Sequence, residues 1–229
     1  MTNYGRIITI DGPSGAGKGT VAAAVASTLG WRLLDSGALY RATALLAVDR
    51  QVAMDDETRL AALALELPVV FNMTAAGLRV ALDGADVTDQ MRTEICGDNA
   101  SKVAALTAVR EALVERQRAF ARPPGVVADG RDMGTAIFPA APLKIFLTAS
   151  AEARAQRRHK QLKEKNFDVT VVDLLAEIEG RDARDANRSA SPLVPAHDAI
   201  VIDSTHLSAD DVVARVLEMK CLIIGIGSS

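Results

Sequence analysis

An α/β fold, with parallel strands joined by crossover helices around a phosphate-binding loop, is predicted by three observations in the 229 residues. Short apolar runs alternate with stretches of helical period, the pattern of parallel strands connected by right-handed crossovers. "IDGPSGAGKGT", residues 10–20, sets a glycine-rich loop and a lysine between a strand-like run and an Ala-rich helical stretch, the order a P-loop requires. "VVADGRDMG", residues 126–134, ends a second apolar run in a carboxylate, at the edge where open parallel sheets bind ligands.

Each element has a local cause. Residues 7–10 read as a short buried strand, and 18–29 as a helix that Gly30 can end. Leu33 and Leu34 lead to Asp35 and Ser36, residue types that cap a helix over 37–50. Residues 63–100 break this rhythm: "LPVVFNMTAAGLRVALDGADVTD" alternates and turns like an antiparallel meander, with Gly77 and Asp83-Gly84 at turns. The segment reads as an insertion on a parallel core made of 1–62 and 101–229. Pro123 and Pro124 introduce a strand at 126–128, and 143–147 and 200–202 supply further core strands.

Composition limits what the chain can do. It is 49% hydrophobic and 24% charged with a formal net charge of −3, so there is ample core but no basic field for nucleic acid or an anionic membrane. Aromatics at 3% give little for a base-stacking platform. Cys96 and Cys221 stand far apart, outside any CxxC or Cys/His spacing, which fits inert thiols in a reducing cytosol and a cytoplasmic protein. The N-terminal "MTNYGRIITIDG" lacks a secretory pattern. The terminal "CLIIGIGSS" is too short to span a bilayer and reads as a packing segment or tail. His159, His197 and His206 have no partner pattern and read as surface residues.

The chemistry concentrates in four places. In the loop, Gly12, Pro13, Ser14, Gly15, Ala16, Gly17, Lys18, Gly19 and Thr20 let successive N–H groups and a helix N-terminus face phosphate oxygens. Lys18 adds a point charge at the transferred phosphoryl group. The spelling departs from G-K-S/T, since Gly19 follows Lys18 and the hydroxyl comes one residue late at Thr20. Asp129, at a strand end beside the P-loop strand, can hold Mg²⁺ directly or through water, or can serve a loop ion pair. Arg131 and Asp132 follow it and can face an acceptor.

Arg181, Asp185 and Arg188 in "EIEGRDARDANRS" are spaced i, i+4, i+7, so a helix would project all three from one face. That face suits surface ion pairing, or forked guanidinium groups for phosphate with a carboxylate for ribose. The basic run 154–165 reads as a mobile lid bringing Arg157 or Arg158 over a triphosphate. Spacing does not choose between these two arginines.

Four motifs, "IDGPSGAGKGT", "LLDSGALYRA", "ADGRDMGTAIFP" and "RDARDANRSASPLVPA", resemble the bacterial cytidylate kinases in this order, over residues from about 5 to about 217. The resemblance implies a P-loop core with a five-stranded parallel sheet flanked by helices, an inserted monophosphate-binding domain over 63–100 and a short lid around 154–170. It implies transfer of the γ-phosphoryl group of ATP to CMP or dCMP with Mg²⁺. By the same resemblance, Ser36, Ser101, Arg110 and Asp132 match cytosine-recognising positions. Arg41, Arg131 and Arg188 match the clamp on the acceptor phosphate, and Arg181 and Asp185 the sugar-contacting pair. G-K-G-T implies that water and carboxylates, not a loop hydroxyl, complete the metal's ligands. The family expectation is a monomer with small-molecule partners only, without nucleic acid or membrane.

Rival readings remain on the sequence. One is a kinase of the same fold acting on UMP, AMP or a hydroxyl acceptor, which the Ser36, Arg110 and Asp132 combination disfavours. A GTP-dependent switch or motor lacks its N-K-x-D motif here, and an RNA-binding protein would have to rely on the 154–165 run.

Overall fold

The computed structural model describes residues 6–74, 77–164, 169–188 and 190–224. Along the chain these form β1 (Ile7–Asp11), α1 (Lys18–Leu29), β2 (Arg32–Asp35), α2 (Ser36–Asp49), α3 (Glu57–Leu65), β3 (Val69–Thr74), β4 (Gly77–Leu82) and β5 (Ala85–Asp86). They continue with α4 (Glu94–Val103), α5 (Thr107–Arg118), β6 (Val126–Gly130), β7 (Leu143–Thr148), α6 (Ala151–Lys163), α7 (Val171–Ala186), β8 (Ile200–Asp203) and α8 (Ala209–Ile223). Two compact units result, one of the described residues up to Asp35 and again from Arg118, the other Ser36–Gln117.

The first unit is a five-stranded sheet in the order β2-β6-β1-β7-β8, with every pairing parallel. All five residues of β1 are buried, as a central strand covered on both faces must be. Ile8, Ile10, Val127, Ile145 and Leu147 pack with Val21, Val25 and Ala26 of α1 and with Val212 and Val216 of α8. The loop leaving β1 lies tight against β7: a Cβ at Gly12, whose φ is 145°, would stand 1.9 Å from the Leu147 carbonyl oxygen. Only glycine fits there. The expected stop of α1 holds, with Gly30 left-handed and its N–H bonded to the helix's last carbonyls.

A smaller core lies between α6 and α7, where Ala155, Leu162 and Leu174 gather Val169, Val171 and Ile178. Residues 165–168, within the expected lid, and 225–229 of the terminal run lie outside the described residues. The described end of that run closes α8 with Leu222 and Ile223 exposed.

The second unit carries the antiparallel sheet β3-β4-β5, with Val69 opposite Leu82 and Thr74 opposite Gly77. Asp83 and Gly84 both have positive φ at the turn, as a two-residue hairpin loop of the I′ kind requires. Leu39, Leu60, Val103, Val109 and Leu113 form its fully buried interior.

Sequence periodicity misplaced one boundary. The helix expected to present Arg188 ends at Ala186, where the Asn187 N–H bonds back to Ala183. Arg188 therefore lies in the following turn, two residues beyond the helix, and only Arg181 and Asp185 share the α7 face.

Candidate active site

The P-loop, residues 12–20, connects β1 to α1, and α1 begins without a side-chain cap at Gly17 or an acidic residue in its first turn. Its first N–H groups are thus left for a ligand, with the positive end of the helix dipole behind them. Lys18 is buried, and its amine donates 2.7 Å to the Pro13 carbonyl, back across the loop. Burial, with Arg131 and Arg181 nearby, pulls the amine down to about 7 against the opposing pull of Asp129 and Asp11. Burial and crowded cations that together disfavour the lysine's charge mark a place made for an anion.

Two carboxylates end the neighbouring strands. Asp35 and Asp129 are register partners across β2 and β6, and burial, then Asp35, pushes Asp129 up to about 6, with Lys18 and Arg131 opposing. Such paired hard oxygens suit a hydrated magnesium ion. Among the described residues no group of three or more His, Cys, Asp or Glu could hold a metal, so nucleotide phosphates and water would complete the shell. A Cβ at Gly19 would lie 3.4 Å from Asp129 Oδ2, an ordinary van der Waals contact, so Gly19 sits directly beside the carboxylate. Gly19 and Thr20 are both exposed.

Asp11, which sequence reading passed over, fixes the loop that carries Arg131 and Asp132. Its two carboxylate oxygens each accept a backbone N–H at 2.8 Å, from Met133 and Gly134. Burial outweighs these bonds and raises the carboxyl to about 7. Asp132 is 2% exposed. The Arg131 Nε donates 2.9 Å to Asp185 Oδ2. Burial opposes ionisation of Asp185, yet Arg131, Arg188 and Arg181 hold its carboxyl below the usual range. Arg188 is buried as well, with its Nε donating to the Asp185 carbonyl. The first unit thus brings together Lys18, Asp129, Arg131, Arg181, Asp185 and Arg188.

The α6 arginines divide differently from the expectation. Arg157 donates to the Ser204 carbonyl and Oγ, and Ser204 in turn donates to the P-loop carbonyl of Ala16. Arg158 donates to Gln161 on its own helix. Arg154 is the arginine that touches the loop, donating 3.0 Å to the Ser14 carbonyl while Asp182 takes two further bonds at 3.1 and 2.6 Å. The basic run held this signal, but only the fold shows which of its members turns inward.

In the second unit Arg110 is buried, donates 3.0 Å to the Ala104 carbonyl and lies 5.7 Å above the Tyr40 ring, a cation–π contact. The Ser101 Oγ is buried with no protein partner. Ser36 donates 2.7 Å to Gln117 Oε1, and Arg41 donates to the Met91 carbonyl.

A P-loop with a buried lysine, strand-end carboxylates and converging arginines defines a P-loop phosphoryl transferase. The chain matches the family described as cytidylate kinase over residues 8–221. It is 56% identical over 218 residues to the cytidylate kinase of Shewanella loihica, covering 95% of each chain. Against that of Methylococcus capsulatus it is 59% identical over 213 residues, covering 93% of this chain and 96% of the other. A gluconokinase structure from Sinorhizobium meliloti aligns with a TM-score of 0.48 at 16% identity, covering 96% and 94%. The chain belongs to the cytidylate kinase family and is a nucleoside monophosphate kinase.

The lowered lysine predicts proton uptake. Near pH 8 an amine titrating about 7 is mostly neutral, and a phosphate beside it restores the charge. Calorimetry of metal-free ADP binding at about pH 8, in buffers of differing ionisation enthalpy, is expected to show uptake approaching one proton. Lys18→Met is expected to abolish it, and a wild-type uptake near zero would contradict the crowded-cation account.

Proposed function

We propose that this chain transfers the γ-phosphoryl group of ATP to CMP or dCMP, giving ADP and CDP or dCDP. The observation that carries the reading is the buried Lys18, with the half-buried Arg131 and Arg181 near it, beside an uncapped helix N-terminus. Such charge has no use in an empty core and a direct one around a polyphosphate. Residues 12–20 hold the donor, and the acceptor phosphate oxygen attacks the γ-phosphorus in line while the P–O bond to the leaving ADP breaks.

Because the acceptor is already an anionic phosphate, little general-base work is needed. Catalysis comes from positioning and from charge: Lys18 on the transferred group, and Arg41, Arg131 and Arg188 on the acceptor phosphate. Arg181 and Asp185 take the sugar. Asp129, with Asp35 beside it, is the protein's anchor for Mg²⁺, which when bound neutralises the donor phosphates. The segment 63–100 serves the monophosphate, and the lid around 154–170 excludes water on closing. The enzyme acts as a cytoplasmic monomer without macromolecular partners.

Base choice rests on Ser36, Ser101, Arg110 and Asp132. Cytosine offers an exocyclic amine, which a carboxylate or hydroxyl accepts, beside N3 and O2, which need donors. The buried, unpartnered hydroxyl of Ser101 supports a ligand here. Asp132→Ala is expected to lower the CMP:UMP ratio of kcat/KM about tenfold or more, and an unchanged ratio would remove Asp132 from base reading.

The function itself is tested by ADP formation from ATP and Mg²⁺ without an acceptor, then with CMP, dCMP, UMP, AMP and GMP in parallel. Rapid ADP release only with CMP and dCMP is the expected result. Hydrolysis independent of acceptor, or none at all, would overturn the reading.

A further inference from the structure

Gln117, at the end of α5, is completely buried, and its amide oxygen accepts the Ser36 hydroxyl at 2.7 Å across 81 residues of sequence. Its amide nitrogen is buried too and meets no protein acceptor. A hydroxyl has one proton and two lone pairs. With the proton committed to Gln117, the Ser36 Oγ can offer a ligand only lone pairs.

We infer that Gln117 is a positioning residue for base selection: by holding the Ser36 proton it makes Ser36 an obligate acceptor, which favours a 4-amino over a 4-oxo pyrimidine. This rests on the proposed role of Ser36 in reading cytosine. A cytosine amine donates to the lone pair it finds. A uracil carbonyl meets a lone pair with its own, and Ser36 can turn its proton to that carbonyl only by leaving the buried Gln117 oxygen unbonded. Burial of a polar atom without a partner is costly, so the penalty falls on UMP and not on CMP.

The test is a double-mutant cycle of Gln117→Met and Ser36→Ala, read as kcat/KM for CMP and for UMP. Gln117→Met frees the Ser36 proton and is expected to lower the CMP:UMP ratio about tenfold, mostly by relative gain on UMP. In the Ser36→Ala background the same change is expected to leave the ratio alone. Gln117→Glu, whose carboxyl keeps an oxygen to accept the Ser36 proton, is expected to retain the wild-type ratio within about threefold and so keeps the question answerable if the methionine variant folds poorly.

A ratio unmoved by Gln117→Met, an equal drop in both backgrounds, or a lost ratio in Gln117→Glu would each make Gln117 merely structural. A wild-type enzyme indifferent to the base would instead remove the cytosine reading itself, and this inference with it, and that outcome is visible before any variant is made.

Discussion

Lys18→Met is expected to lower the rate of phosphoryl transfer about a thousandfold, the upper range for deleting one group aimed at transition-state charge. Methionine keeps the length and apolar stem of lysine, so the packing around a buried side chain is largely preserved. The loss is of the amine that donates to the Pro13 carbonyl and faces the transferred phosphoryl group in the proposed mechanism. The fold should tolerate the change. Burial and the neighbours Arg131 and Arg181 already oppose the charge on this amine, so its removal relieves repulsion while freeing one carbonyl, a balance within about 1–2 kcal/mol. Single-turnover rates beside thermal melting separate the two effects. A rate within tenfold of wild type would take Lys18 out of the transition state, and a collapse in melting temperature would show that its role is structural.

How much of this was legible in the sequence follows from how far apart the interacting residues lie. The P-loop, the run into α1 and its stop at Gly30 are written in about twenty consecutive residues, each with a local conformational reason. The meander at β3–β5 announced itself through alternation and the Asp83-Gly84 pair for the same reason. The supports of the site are different in kind. Asp11 bonds to Met133 and Gly134 across more than a hundred residues, and Ser36 meets Gln117 across 81. No spacing rule connects such pairs, because tertiary packing, not sequence proximity, makes them neighbours.

Arg154 shows the limit within one helix. Four arginines and lysines crowd the stretch 154–160, and composition could not say that Arg154 turns toward Ser14 and Asp182 while Arg157 bonds to Ser204. Periodicity also failed at the end of α7. The i, i+7 spacing of Arg181 and Arg188 suits a helix, but nothing between Ala186 and Arg188 is a glycine stop, so the boundary was set by what the chain does next: the Asp185 carbonyl accepts from Leu193 and from the Arg188 guanidinium.

Leaving the helix gives Arg188 a position that the helical reading denied it, and its expected effect is correspondingly large. The side chain is 8% exposed, tethered at Nε to the Asp185 carbonyl, and its charge helps hold the Asp185 carboxyl ionised beside Arg131. A guanidinium fixed at one nitrogen has its remaining donors pre-aimed, which is the condition for binding phosphate oxygens without reorganisation. Arg188→Met is therefore expected to reduce kcat about a hundredfold to a thousandfold, while ATP affinity, which residues 12–20 supply, stays within about threefold. Arg188→Lys is the sharper probe. It restores the charge but not the fork, so turnover intermediate between wild type and methionine would mean that geometry contributes beyond charge. Steady-state turnover with CMP, beside equilibrium binding of ATP, reads both quantities. Near-normal turnover in the methionine variant would remove Arg188 from the clamp, whereas parallel losses of turnover and ATP affinity would place it with the donor instead of the acceptor phosphate.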